Sequence, residues 1–148
     1  MELVTIMKRV ELFRGLNDAQ LARLGDISQH LRYEPGETIF EQGDTGDRMY
    51  IIASGQVEVR VRDVQGESRA AVYLGTGQVF GEMALIDDGR RSASVIAVDA
   101  GTAVYSIPNA DFTHLCQTDT AIGYMMMRNL AQDLSFKLRH RDFDPSKA

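Results

Sequence analysis

The chain has 148 residues, 44% hydrophobic and 25% charged, with a net charge of −5. That is the balance of one soluble globular domain with a core of its own, and it argues against nucleic acid as the main partner, since phosphate backbones favour basic surfaces. No apolar run approaches the roughly 18 residues of a membrane span, and the single cysteine, Cys116, cannot form an internal disulfide, so a reducing cytoplasm is expected.

The N-terminus, MELVTIMKRV, lacks the basic, apolar and small-residue order of a signal peptide. Residues 1–32 read as a helical segment. Asn17 followed by Gln20 has the form of a capping box, and Leu21, Leu24 and Ile27 then recur at helical spacing. The turn signal Tyr33-Glu34-Pro35-Gly36-Glu37 ends that pattern.

Residues 33–107 read as short strands punctuated by glycines. Residues 56–62 alternate, with Val57, Val59 and Val61 on one face and Glu58, Arg60 and Arg62 on the other. The apolar run 49–53 predicts a buried strand, and 63–67 a hairpin. Further strands are expected at 72–74, 94–98 and 103–107. This spacing predicts a sandwich, barrel or jelly roll.

Residues 108–140 return to helix. Asn109 is expected to cap a short helix carrying Phe112 and Leu115, and Cys116 takes a half-buried position on it. Thr118 or Asp119 is expected to cap a longer one. There Ile122, Met126, Leu130, Leu134 and Leu138 form one stripe, with Met127 and Ala131 alongside. The polar tail 141–148 is expected to fray.

Several motifs carry no chemistry on inspection. Gly75-Thr76-Gly77 lacks the lysine and βαβ setting of a P-loop. Asp44-Thr45-Gly46 would need a second such aspartate to act as a protease. His30, His114 and His140 are scattered without ligand spacing, so no metal or cofactor is expected, and with no poised nucleophile and base the chain is not expected to be an enzyme.

The stretch FGEMALIDDGRRSASV, residues 80–95, stands apart. A short helical turn at 82–86 would leave backbone N–H groups free to meet an anion, and Gly81 would let it approach. Arg91, returning from the Asp87-Asp88-Gly89 turn, would set a planar fork of donors on the same anion, with the Ser92 hydroxyl and N–H beside it. Glu82 would repel a phosphate but accept a hydrogen bond from a neighbouring hydroxyl. One anion beside one hydroxyl describes a sugar phosphate. The competing arrangement is a structural Glu82–Arg91 ion pair in which the acidic turn has no role.

This stretch resembles the phosphate-binding cassette of the cyclic nucleotide-binding domain family, which includes protein kinase A regulatory subunits, the catabolite activator protein and cyclic-nucleotide-gated channels. The matching residues are Phe80-Gly81-Glu82-Met83-Ala84-Leu85 and Arg90-Arg91-Ser92-Ala93-Ser94-Val95. Pro35-Gly36-Glu37, Gln42-Gly43-Asp44 and 50–55 resemble the family's glycine-marked turns. Arg90 departs from the proline found in many members.

The resemblance implies an antiparallel jelly-roll (β-roll) with N-terminal helices and a C-terminal lid helix, as one domain over 1–148. It implies cAMP or cGMP as ligand, with cAMP favoured. Glu82 would accept the ribose 2′-hydroxyl and Arg91 would hold the phosphate. N–H groups near Ala84 and Ser92, with Gly81 as a further donor and Met83 beside them, would complete the cradle. Val59, Ala71, Leu74 and Val79 would wall the base. The last helix, about 120–140, would close over the base through Phe136, Lys137 or Leu138 and pass occupancy to a protein partner or a second copy. The tail leaves no room for a helix-turn-helix, so a sensor without its own output is expected, alone or as a piece of a longer protein. The alternative is an interaction module of the same fold that binds no nucleotide.

Overall fold

The computed structural model describes residues 2–140; the tail 141–148 lies outside the described residues. Four helices and eight strands follow in the order α1 (Leu3–Met7), α2 (Asp18–Asp26), β1 (Gln29–Tyr33), β2 (Thr38–Phe40), β3 (Arg48–Ser54), β4 (Val57–Arg62), β5 (Ser68–Leu74), β6 (Val79–Phe80), β7 (Ser94–Ala97), β8 (Thr102–Pro108), α3 (Asn109–Thr118) and α4 (Thr120–Arg139). Single 3-10 turns lie at Glu11–Phe13 and Glu82–Leu85.

The strands form two four-stranded sheets, ordered β1-β8-β3-β6 and β2-β7-β4-β5. Every pairing is antiparallel. This is the expected β-roll flanked by helices. The apolar run at 49–53 lies in β3 because that strand is covered on both faces. Met49 and Ile51 pack into a helical core with Ile6, Leu24, Phe112, Ile122 and Met126. Tyr50 and Ile52 alternate into a second core between the sheets with Val57, Phe80, Val95 and Val104. The hairpin at 63–67 is a tight turn in which the Asp63 carboxylate accepts from the N–H groups of Gln65 and Glu67, both at 2.9 Å.

The expected capping box at Asn17 and Gln20 is present, each side chain accepting from the other's backbone at 2.9 Å. Two expectations need correction. The N-terminal helical segment does not run to residue 32, because β1 begins at Gln29; Leu31 and Tyr33 pack inward while Gln29, His30 and Arg32 face solvent, a pattern too short to read. Asn109 does not cap α3. Pro108 occupies that position, and the Asn109 amide instead donates to the carbonyl of Ala84. The stripe on α4 is core only in part: Ile122, Met126 and Leu130 are buried, but Met127, Ala131 and Leu138 are exposed and Leu134 is half-buried. Asp119 does cap α4, accepting from Ile122 N–H.

The middle of α4 is tied to the N-terminal 3-10 turn. Buried Asn129 donates to the carbonyls of Leu12 at 2.8 Å and Arg14 at 2.9 Å. Arg14 in turn reaches Gln132 at 3.0 Å and Asp133 at 3.2 Å. Asn129→Ala removes the donors to both carbonyls, a loss of about 2–4 kcal/mol. Thermal denaturation is expected to show a drop of roughly 5–15 °C. Asn17→Ala, at an exposed cap, should cost only about 1 kcal/mol. Equal shifts for the two variants would contradict this ranking.

Candidate functional site

The cassette is built on a backbone reversal. After β6, Gly81 takes the left-handed conformation, φ +72°, which glycine adopts without steric penalty. The chain then makes the 3-10 turn Glu82–Leu85, bends through 87–89 with the Asp87 carboxylate accepting from Gly89 N–H at 2.9 Å, and returns into β7. The loop 41–47 clamps the returning arm. Gly43 N–H donates to Arg91 O at 2.9 Å, Arg91 N–H to Asp44 O at 2.7 Å and Gly46 N–H to Gly89 O at 2.9 Å. The Arg90 guanidinium donates to Gly43 O at 2.9 Å.

Arg91 is the centre of this arrangement. Its side chain turns inward, leaving the residue 8% exposed. The guanidinium lies over the Phe40 ring, 4.1 Å from its centroid, and 5.9 Å from that of Tyr50. Tyr50 stacks on Phe80 at 4.9 Å, so three aromatic rings form the floor. Nη1 donates to Gly81 O at 3.2 Å and Nη2 to Arg48 O at 2.8 Å. Buried Nε has no protein acceptor, and among the described residues no carboxylate pairs with this cation. Burial lowers the Arg91 pKa, with Tyr50 and Asp47 acting in the opposite direction, yet a guanidinium stays protonated across the range in which proteins are folded. The result is a buried positive charge met by carbonyl dipoles and a π face, an environment complementary to an entering anion.

Glu82 does not pair with Arg91, which removes the structural ion pair between them. Its partly enclosed carboxylate stands 3.9 Å from Lys137 Nζ, on α4. Both residues line a cleft of about 440 Å³, within the roughly 300–1,000 Å³ range of small-molecule sites. Gly81, Met83, Ala84, Arg90, Arg91 and Ser92 line the same cleft. The Ala84 N–H is engaged, however, donating to Gly81 O at 3.2 Å as the 3-10 turn closes.

The apolar wall consists of Val59, Val72, Leu74, Val79, Ala93 and Val95, with Phe40 at the base. Val59, Leu74 and Val79, expected from the resemblance to wall the base, line this cleft. Ala71 does not: it is exposed and outside the cleft. Val59 pairs with Val72 and Arg60 with Ala70, so Ala71 is bulged out of the ladder and Val72 takes the wall position. Of the three lid candidates only Lys137 borders the cleft; Phe136 and Leu138 are 62% and 64% exposed. The sequence reading missed Phe40 and Gly46 because both reach the cassette across the fold. Gly46 lies against the Arg91 guanidinium, where an added Cβ would stand 3.2 Å from Cζ.

A family profile described as "Cyclic nucleotide-binding domain" matches residues 30–119. This chain belongs to the cyclic nucleotide-binding domain family. It is 35% identical over 138 residues to the Cyclic AMP receptor protein of Thermus thermophilus, covering 93% of this chain and 62% of that protein. It is 32% identical over 116 residues to the cGMP-dependent protein kinase egl-4 of Caenorhabditis briggsae, covering 77% of this chain and 15% of that one. The crystal structure of the Thermus thermophilus Catabolite Activator Protein superposes with a TM-score of 0.77 at 35% identity, over 87% of this chain and 58% of that chain. The chain thus spans less than two thirds of the length of these relatives. Among the described residues no helix is long and apolar enough to cross a membrane.

Gly81 can be tested directly in this cyclic nucleotide-binding domain. A Cβ there would lie 2.6 Å from Arg91 Nη1 on a backbone already at positive φ, so Gly81→Ala must displace the guanidinium. Calorimetric titration with cAMP and cGMP should show affinity lowered by about tenfold or more, the equivalent of one lost charge-assisted hydrogen bond. Unchanged affinity would mean that the position of Arg91 does not govern binding.

Proposed function

We propose that this chain binds cAMP in the 80–95 cassette as a sensor module, and that α4 passes occupancy to a partner protein or a second copy. The observation that carries the reading is the buried Arg91 guanidinium without a carboxylate partner among the described residues, in a cleft whose other side holds a carboxylate. A cyclic phosphate would take the charge of Arg91, and the ribose 2′-hydroxyl would donate to Glu82, the two groups a few Å apart on two fused rings. The Ser92 and Met83 side of the cleft borders the phosphate end, and the valine-rich wall takes the base. The roles are complementary, because Glu82 would repel the phosphate and Arg91 offers nothing but donors.

The reading is of a binding module: a buried cation and an apolar wall in one cleft are suited to holding a ligand. One similarity favours cAMP over cGMP in this reading. The relative matching 93% of the chain is named for cyclic AMP. The reading locates such a module in the cytoplasm, where cyclic nucleotides act.

The test is a thermal shift with cAMP, cGMP and 5′-AMP. Ligand at about a hundred times its Kd should stabilise the chain by roughly 2.7 kcal/mol, or about 5–10 °C for a domain of this size. cAMP should give the largest shift and 5′-AMP none. Arg91→Ala should lose the shift altogether. No shift with any of the three, on protein free of co-purified ligand, would overturn the reading in favour of a module that recognises only protein.

A further inference from the structure

Phe40 reaches Arg91 through an irregularity in β2. Thr38 pairs with Ile96 and Phe40 with Val95, so two steps along β2 match one along β7 and Ile39 is the extra residue of a bulge. The bulge breaks the alternation of the strand. Ile39 and Phe40, neighbours in sequence, both pack against the core between the sheets. The Phe40 ring is thereby aimed at the cassette, where the Arg91 guanidinium carbon stands 4.1 Å from its centroid. Tyr50 and Phe80, with centroids 5.8 Å from that of Phe40, pack beside the ring.

We propose that Phe40 is a positioning residue for anion binding: its π face holds the Arg91 guanidinium in place of a carboxylate and leaves the cation's charge for the ligand's phosphate. The inference rests on the cyclic-nucleotide reading and adds the residue that readies the cassette arginine for its ligand.

Carboxylates and aromatic rings take different things from a guanidinium. A carboxylate accepts from its in-plane N–H groups, occupying the fork and cancelling the charge that a phosphate would meet. A ring offers the negative face of its π system, which attracts the cation without accepting a bond from the fork. Here the carbonyls of Gly81 and Arg48, both neutral, each take an N–H, and Nε has no protein acceptor among the described residues. Arg91 thus keeps its full charge and part of its fork. Held by two carbonyls and a ring, the side chain loses little further rotamer freedom when an anion arrives, which is the gain of preorganisation. An aliphatic side chain at position 40 would fill similar space and leave the cation without that electrostatic partner.

The test is calorimetric titration of the full chain with cAMP and cGMP in two variants. One is Phe40→Leu. In the other Phe40 is replaced by trifluorophenylalanine, which keeps the ring's shape but withdraws electron density from its face. Phe40→Leu should weaken both nucleotides about tenfold, the size expected of a desolvated cation–π contact. The fluorinated ring should weaken them about three- to fivefold, since it loses part of that attraction and none of the packing. The loss should be the same for the two nucleotides, because the contact serves the phosphate they share. A Phe40 that merely fills space would leave the fluorinated chain at wild-type affinity. That result, or losses that differ between cAMP and cGMP, would overturn the inference while leaving the binding function standing. If Phe40→Leu does not fold, the fluorinated chain decides alone. Failure of the wild type to bind either nucleotide would overturn both.

Discussion

A positive charge held in the fold beside aromatic rings, with no carboxylate of the described chain to neutralise it, is the constraint around which this molecule is arranged. Arg91 rests on Phe40 and is fixed by the carbonyls of Gly81 and Arg48. Each of these contacts comes from a different part of the chain: β2, the cassette entry and the start of β3. Carbonyls are a weaker answer to a guanidinium than a carboxylate, and desolvating the charge costs free energy that only part of this shell returns. The fold accepts that cost at one place, pinning the residue's backbone through the 41–47 loop and its side chain through the two carbonyls and the Phe40 ring. Gly81 and Gly46 follow from the same constraint, since both lie where a side chain would press on the guanidinium.

The β-roll supplies the rigidity this requires. β3 is covered on both faces and presents alternate residues to two cores, so Arg48 and Tyr50 are held by Met49 and Ile51, which alternate with them along the strand. The cleft wall is drawn from four strands, and its shape depends on the register of β4 with β5. One bulged residue there decides which of Ala71 and Val72 faces the ligand space.

How much of this could be read beforehand depends on how locally each feature is encoded. The cassette was legible because its chemistry sits within sixteen consecutive residues, with acid, arginine and glycine at positions that carry meaning without knowledge of the fold. The capping box at Asn17 was legible for the same reason. Features that depend on distant partners were not. Phe40 and Gly46 look unremarkable in sequence and become site residues only when the loop 41–47 folds back onto Arg91. β1 and β6 are short, and β1 has three solvent-facing residues, so neither carries enough alternation to declare itself. The α4 stripe runs evenly to Leu138 in sequence because periodicity reports which residues share a face, not where the neighbouring surface ends. The surface ends near Asp133.

The two cores meet in the cassette itself. Phe80 and Val95, at its edges, belong to the core between the sheets, while Leu85, five positions past Phe80, belongs to the helical core with Phe112 and Ile122. The Asn109 amide adds a polar tie from α3 to the Ala84 carbonyl. The turn at 82–85 is therefore one tie between the two layers, beside the strands they share and the Asn109 N–H bond to Asp47 O at 2.8 Å. Loosening that tie in one layer therefore disturbs the other, and a ligand seated on the turn would bear on amide groups in α3 that it never touches.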